Sequence, residues 1–129
     1  MIVDASAVLA VVLGEPDLST YSRAMQRAAR LRMSAVNYLE AALRVDRIGD
    51  DDLIRALDEA IAAAGIMIVA ATPTHAELAR LAYRRFGKGN HDARLNLADC
   101  FAYALARESG EPLLFKGDDF TKTDVEPAV

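Results

Sequence analysis

The chain lacks tryptophan, has one cysteine and four prolines in 129 residues, and is only 6% aromatic. A lone Cys100 excludes an internal disulfide framework and is too few for a cysteine-ligated zinc site, which points to a reducing compartment. No apolar run approaches the roughly 20 residues that cross a bilayer; the stretch Ile61 to Thr72 is among the longest. The opening has no basic segment ahead of an apolar one, so no secretory leader is expected and the expected location is the cytoplasm, without a membrane role. A basic excess is missing too. Fifteen Lys and Arg against 19 Asp and Glu leave a net charge of −4, which argues against a protein that coats nucleic acid by bulk electrostatics.

What is present is a core of Ala, Leu, Ile and Val, with 53% of residues hydrophobic. A chain of this length buries about two-thirds of its unfolded surface, enough for one domain over residues 1–129 with no covalent or metal staple. Met1 to Ala7 sets the pattern: two apolar residues, Ile2 and Val3, then Asp4 where a strand hands over to a helix. Ala5 to Leu13 reads as that helix, stopped by Gly14 and Pro16. Ser19 or Thr20 is placed to cap a second helix to about Arg30, with Tyr21, Ala24, Met25 and Ala28 on one side. Leu31 to Ala35 offers a second strand. Asn37 then opens a helix with Leu39, Ala42, Leu43 and Val45 as its apolar face, and Glu40, three residues on, completes a capping arrangement.

Gly49 to Asp52 breaks the chain and caps a helix to Ala64, Ile66 to Val69 is a β-branched third strand, and Thr72-Pro73 starts a helix to Phe86. Gly87 to Asn90 reads as a flexible loop. Asn96 to Ala106 is strongly helical, again with an acid, Asp99, three residues after an Asn. Leu113 to Phe115 makes a fourth strand leading into Gly117-Asp118-Asp119-Phe120, and Val125 is either an edge strand or tail.

Strands alternating with helices imply an α/β fold: a three-layer α/β/α domain around a central, mostly parallel sheet whose strands end at a common edge. Asp4, Glu40, Asp99 and Asp118 or Asp119 each follow a strand or stand in the first turn of a helix. Capping explains any one of them. It does not explain four at one edge, because clustered carboxylates repel unless a cation lies between them. Oxygen donors of this kind suit magnesium, which is held by a few carboxylates while keeping waters that reach phosphate, as in nucleases. Ser6, two residues past Asp4, is placed to support a ligand carboxylate, or is simply a first-turn serine.

The opening Ile-Val-Asp-Ala-Ser-Ala, the Asn-Tyr-Leu-Glu around Glu40, the Leu-Asn-Leu-Ala-Asp-Cys-Phe-Ala helix and the closing Leu-Phe-Lys-Gly-Asp-Asp-Phe together resemble PIN-domain ribonucleases, more narrowly the VapC toxins of type II toxin-antitoxin modules. The resemblance spans the whole chain in order. It implies an endoribonuclease dependent on Mg2+ or Mn2+, with Asp4, Glu40 and Asp99 on the family's acid positions. Asp118 is preferred for the fourth, being closer to the strand end, with Asp119 as the alternative acid or a cap. It further implies a homodimer and a cognate VapB-like antitoxin that covers the groove. RNA at an acid-lined site needs nearby cations, and the island of Arg84, Arg85, Lys88 and Arg94 supplies candidates, with Lys116 beside the fourth acid motif. His75 and His91 stand outside the acid motifs, and Cys100 reads as a small buried hydrophobe.

Two rivals remain. A receiver-like phosphorylatable domain also uses strand-end acids, magnesium and a late lysine, but wants paired acids after its first strand and an acid ending its third; Ile66 to Thr72 has none. The other is a PIN-fold interaction module that has lost its chemistry.

Overall fold

The computed structural model describes all 129 residues. Four parallel strands, β1 (Ile2–Val3), β2 (Leu31–Ser34), β3 (Ile66–Val69) and β4 (Leu113–Leu114), form one sheet in the order β3-β2-β1-β4. Register pairs Ile2 with Arg32 and Leu113, and Leu31 with Ile66. Six helices connect and flank the strands: α1 (Ala5–Val12), α2 (Leu18–Arg27), α3 (Ala35–Ile48), α4 (Asp51–Ala64), α5 (Pro73–Phe86) and α6 (Leu97–Ser109). A single 3-10 turn, Phe120–Lys122, follows β4. The expected three-layer α/β/α architecture is the one observed.

Because side chains alternate along a strand, neighbouring residues of β1 and β4 enter different cores. Ile2 and Leu113 pack with Ala82, Phe86, Leu95, Tyr103 and Leu105 from the α5/α6 side. Val3 and Leu114 pack with Val8, Met25, Met33, Val45 and Leu57 from the α1 to α4 side. Two-residue strands suffice here, since each is fully buried on both faces and shielded from competing water. Val125 is buried in the α5/α6 core, and the next residues run beside β4 as an edge, with Pro127 bridged to Leu113.

Four local expectations are corrected. Helix α2 begins at Leu18, before Ser19 and Thr20, and Asp17 at its N-cap makes no side-chain capping bond. Helix α3 begins at Ala35 and is capped by Ser34, whose hydroxyl accepts from the Val36 amide, so Asn37 caps nothing and Glu40 is not its capping partner. The apolar face of α3 is also rotated: Asn37, Ala41 and Val45 are buried, while Leu39 and Leu43 are 55% and 48% exposed. The loop after α5, read as flexible, is closed by its own bonds. Leu95 N–H donates to the Phe86 carbonyl and Lys88 N–H to Leu95, each at 3.0 Å. Gly87 is required where the loop leaves α5, because a Cβ there would lie 2.3 Å from the Tyr83 carbonyl oxygen.

Candidate active site

Parallel strands deliver their following residues to one edge, and there Asp4, Glu40, Asp99 and Asp119 line a single cavity of about 370 Å3. Asp4 ends β1 and caps α1. Its Oδ2 accepts from the Ser6 amide at 2.9 Å and from the Ser6 hydroxyl, and its Oδ1 accepts from Asn37 Nδ2 at 3.1 Å. Ser6 Oγ in turn accepts from the Lys116 amide at 2.9 Å, tying the end of β4 to the same corner. Glu40 projects from the second turn of α3 and is half-buried. Asp99 is buried in the first turn of α6, where its Oδ2 accepts from the Asn96 amide and its own amide donates to Asn96 Oδ1, each at 2.8 Å.

The acids act on one another. Burial pushes Asp99 up to about 7, against the Asn96 amide that pulls it down, and the charges of Asp4, Glu40 and Asp119 raise it further. Glu40 is raised by burial and then by Asp4, with Asn96 and Arg44 opposing. Asp4 is raised by burial and by Asp119, despite its bonds to Ser6. A site that holds this much uncompensated negative charge out of water favours a proton or a cation.

Of the two adjacent candidates for the fourth acid, the structure brings Asp119 to the cavity and leaves Asp118 out of its lining. Asp118 instead starts the turn that follows, where its carbonyl accepts from the Thr121 amide and hydroxyl. Strand β4 ends at Leu114, one residue earlier than expected, and the added loop length carries the second acid rather than the first to the edge.

The predicted cations divide. Lys116 lines the cavity, but its ammonium is engaged by Glu15 and by Asp17 at 2.8 Å, so it serves as an internal counter-ion and not as a free phosphate ligand. Arg85 is likewise engaged, 3.3 Å from Asp124 and stacked over Phe86. Arg84, Lys88 and Arg94 are exposed, and Lys88 and Arg94 share a shallow depression on the loop that leads into Asn96. His75 is buried, bonded to Thr72 and Glu108, and His91 packs edge-on against Phe86; neither lines the acid cavity. Sequence reasoning missed Arg44 and Glu15, which line the cavity, and Asn37, which holds Asp4. Arg44 stands four residues after Glu40 and Asn37 three before, on one helix face. That spacing is legible in the sequence, but the Asn-x-x-Glu pattern suggests a cap instead.

The donor set fits a hard divalent cation: four carboxylates, all oxygen, mutually repelling. No three acidic or histidine side chains converge closely enough to bind one ion directly. Magnesium does not require that, since it is held through one or two carboxylates and retains its waters.

The PIN domain family model matches residues 1–126. The chain belongs to the PIN-domain family. Within it, the relatives are VapC ribonucleases: ribonuclease VapC42 of Mycobacterium tuberculosis is 45% identical, over 99% of this chain and 98% of that one. Ribonuclease VapC28 of the same organism is 45% identical over 100% and 98%, and ribonuclease VapC of Mycolicibacterium smegmatis is 44% identical over 97% of each. Among solved structures, the sarcin-ricin loop cleaving toxin VapC20 of M. tuberculosis superimposes with a TM-score of 0.74 over 96% of this chain and 95% of that one, at 20% identity. A Pyrobaculum aerophilum protein gives 0.64 over 98% and 81%, also at 20%. These two have the same fold as this chain. No helix of this PIN domain is long and apolar enough to cross a membrane.

Proposed function

We propose that this PIN domain is the toxin of a type II toxin-antitoxin module, an endoribonuclease dependent on Mg2+ or Mn2+ that cleaves single-stranded or loop RNA in the cytoplasm. The observation that carries the reading is the convergence of Asp4, Glu40, Asp99 and Asp119 on one cavity in a chain 45% identical along its length to VapC ribonucleases. These four are the residues that would hold the cation, one or two of them directly and the others through its retained waters, with Asp119 rather than Asp118 as the fourth. A divalent ion bound there polarises a phosphoryl oxygen and lowers the pKa of water.

The chain's own groups prepare that chemistry. Ser6 and Asn37 occupy both oxygens of Asp4 and fix its plane. Asn96 holds Asp99 by its amide. Arg44, a cation on the cavity wall beside Glu40, is suited to a phosphate flanking the scissile one, and Arg84, Lys88 and Arg94 extend that basic surface outward. The exposed Leu39, Leu43 and Leu97 near the acid-bearing segments suit a homodimer and a VapB-like antitoxin. Co-purification from the native operon identifies both assemblies.

The test of activity is incubation of purified protein with structured RNAs. Cleavage is expected with Mg2+, none with EDTA, and none by Asp99→Asn. Undiminished cleavage in EDTA, or equal cleavage by the variant, removes the mechanism.

A further inference from the structure

Five polar residues are buried: Asp4, Ser34, Asn37, His75 and Asp99. Four have evident occupations. Ser34 and His75 serve helix N-termini, and Asp4 and Asp99 belong to the acid cavity. Asn37, fully buried in the first turn of α3, neither caps a helix nor lines the cavity. Its Nδ2 donates to Asp4 Oδ1 at 3.1 Å and to the Ala98 carbonyl at 3.0 Å. The Ala98 carbonyl can only accept, so the chemistry fixes which end of the amide faces it and Asp4. The other end, Oδ1, is left buried with no donor.

Stability alone does not favour this arrangement, because an unpartnered buried carbonyl oxygen carries a desolvation penalty. Nor does Ala98 need the bond, since a carbonyl in the first turn of α6 is served by the amide four residues on. What the amide gains is geometric: it links the Asp4 carboxylate, on the β1–α1 junction, to the residue preceding Asp99 on α6.

We propose that Asn37 is a positioning residue of the acid cluster, holding the Asp4 carboxylate against rotation and fixing its separation from the helix turn that carries Asp99. This rests on the ribonuclease reading, because the geometry it sets is that of the cation site. Asn37 touches neither cation nor substrate and acts through Asp4.

Mn2+ affinity, measured by calorimetry on the purified chain, tests it. Asn37→Ala weakens Mn2+ binding by about 10- to 100-fold, the range seen when a ligand's supporting partner is removed, and lowers kcat with KM for RNA unchanged. Ser34→Ala, which strips the cap from the same helix, lowers stability and leaves Mn2+ affinity as it was. In an Asp4→Asn background, Asn37→Ala costs no further affinity. Wild-type affinity in Asn37→Ala, or an equal loss in the Asp4→Asn background, overturns the assignment. Should Asn37→Ala not fold, the unaltered protein still decides. On Mg2+ saturation the Asn37 side-chain amide protons shift in the NMR spectrum while those of Asn90, on the loop after α5, stay; an unmoved Asn37 overturns the proposal. Failure of the unaltered protein to bind Mn2+ at all is a different result, and refutes the metal-dependent reading along with its positioning residue.

Discussion

Asp99 performs two tasks with one carboxylate. Its Oδ2 closes a capping box with Asn96 while the charge faces Asp4, Glu40 and Asp119 across the cavity. An asparagine keeps the first task, because its carbonyl accepts from the Asn96 amide as the carboxylate does, and abolishes the second. Asp99→Asn should therefore unfold at pH 8 no earlier than the parent, and later if removal of the buried charge outweighs the weaker cap, yet show no RNA cleavage; a cleavage gel and thermal melt on one preparation settle both. Asp118 and Asp119 offer a sharper residue-level comparison. Asp119→Asn removes a carboxylate that acts on Asp4 and Asp99 and should lower cleavage by at least about 10- to 100-fold, the scale of losing even an indirect support of a metal site. Asp118→Asn, outside the cavity, should cleave like the parent, and the reverse ranking would restore the sequence-based choice.

At the scale of elements, what was legible followed from periodicity and stop signals. The four strands stand within a residue of where the sequence puts them, and the Thr72 cap, a cap for α4 between Gly49 and Asp52 and the Asn96–Asp99 pair stand where it puts them, because each is decided within a few residues by local bonds. What was not legible is decided between elements. The face of α3 that is buried depends on where β2 ends, and Ser34, the last residue of that strand, takes the cap three residues before Asn37. The shift turns Glu40 from a cap into a cavity wall and buries Asn37. Similarly, the engagement of Lys116 by Glu15 and Asp17 joins residues about a hundred positions apart, which no spacing rule reveals. Two predictions belong here. Ser34→Ala should cost about 1 kcal/mol in urea unfolding, a typical N-cap loss. On the α5 end and its loop, Arg84→Ala with Lys88→Ala should flatten the salt dependence of RNA binding by about 0.7 for each phosphate that is left without its cation, read on Asp99→Asn protein to suppress cleavage. Arg85→Ala, already paired to Asp124, should change that slope less.

For the whole molecule, the buried acids tie folding to pH and, on the proposed function, to the cation. Asp99 titrates near 7 when folded against an ordinary value of 3.8, and Asp4 and Glu40 are displaced in the same direction. Between about pH 4 and 7 the folded state thus binds more protons than the unfolded one, and stability falls as pH rises through that window. Groups with the opposite displacement do not mask it. Glu111, held down to about 2 by the Met1 amino group and Arg32, loses its contribution only as pH drops below the ordinary glutamate range. Metal-free protein should therefore melt at a higher temperature at pH 5.5 than at pH 8. A divalent cation competes with the protons for the same oxygens, so Mg2+ should raise the melting temperature strongly at pH 8 and little at pH 5.5. At a hundred times its dissociation constant, the ion adds about 2.7 kcal/mol. Asp99→Asn, which has no acid to titrate at that position, should lose part of both the pH slope and the Mg2+ response, the remainder staying with Asp4 and Glu40. Melts at the two pH values, with Mg2+ and with EDTA, would show it, and a parent protein whose metal-free stability is flat from pH 5.5 to 8 would mean that the four carboxylates do not share one cavity in solution.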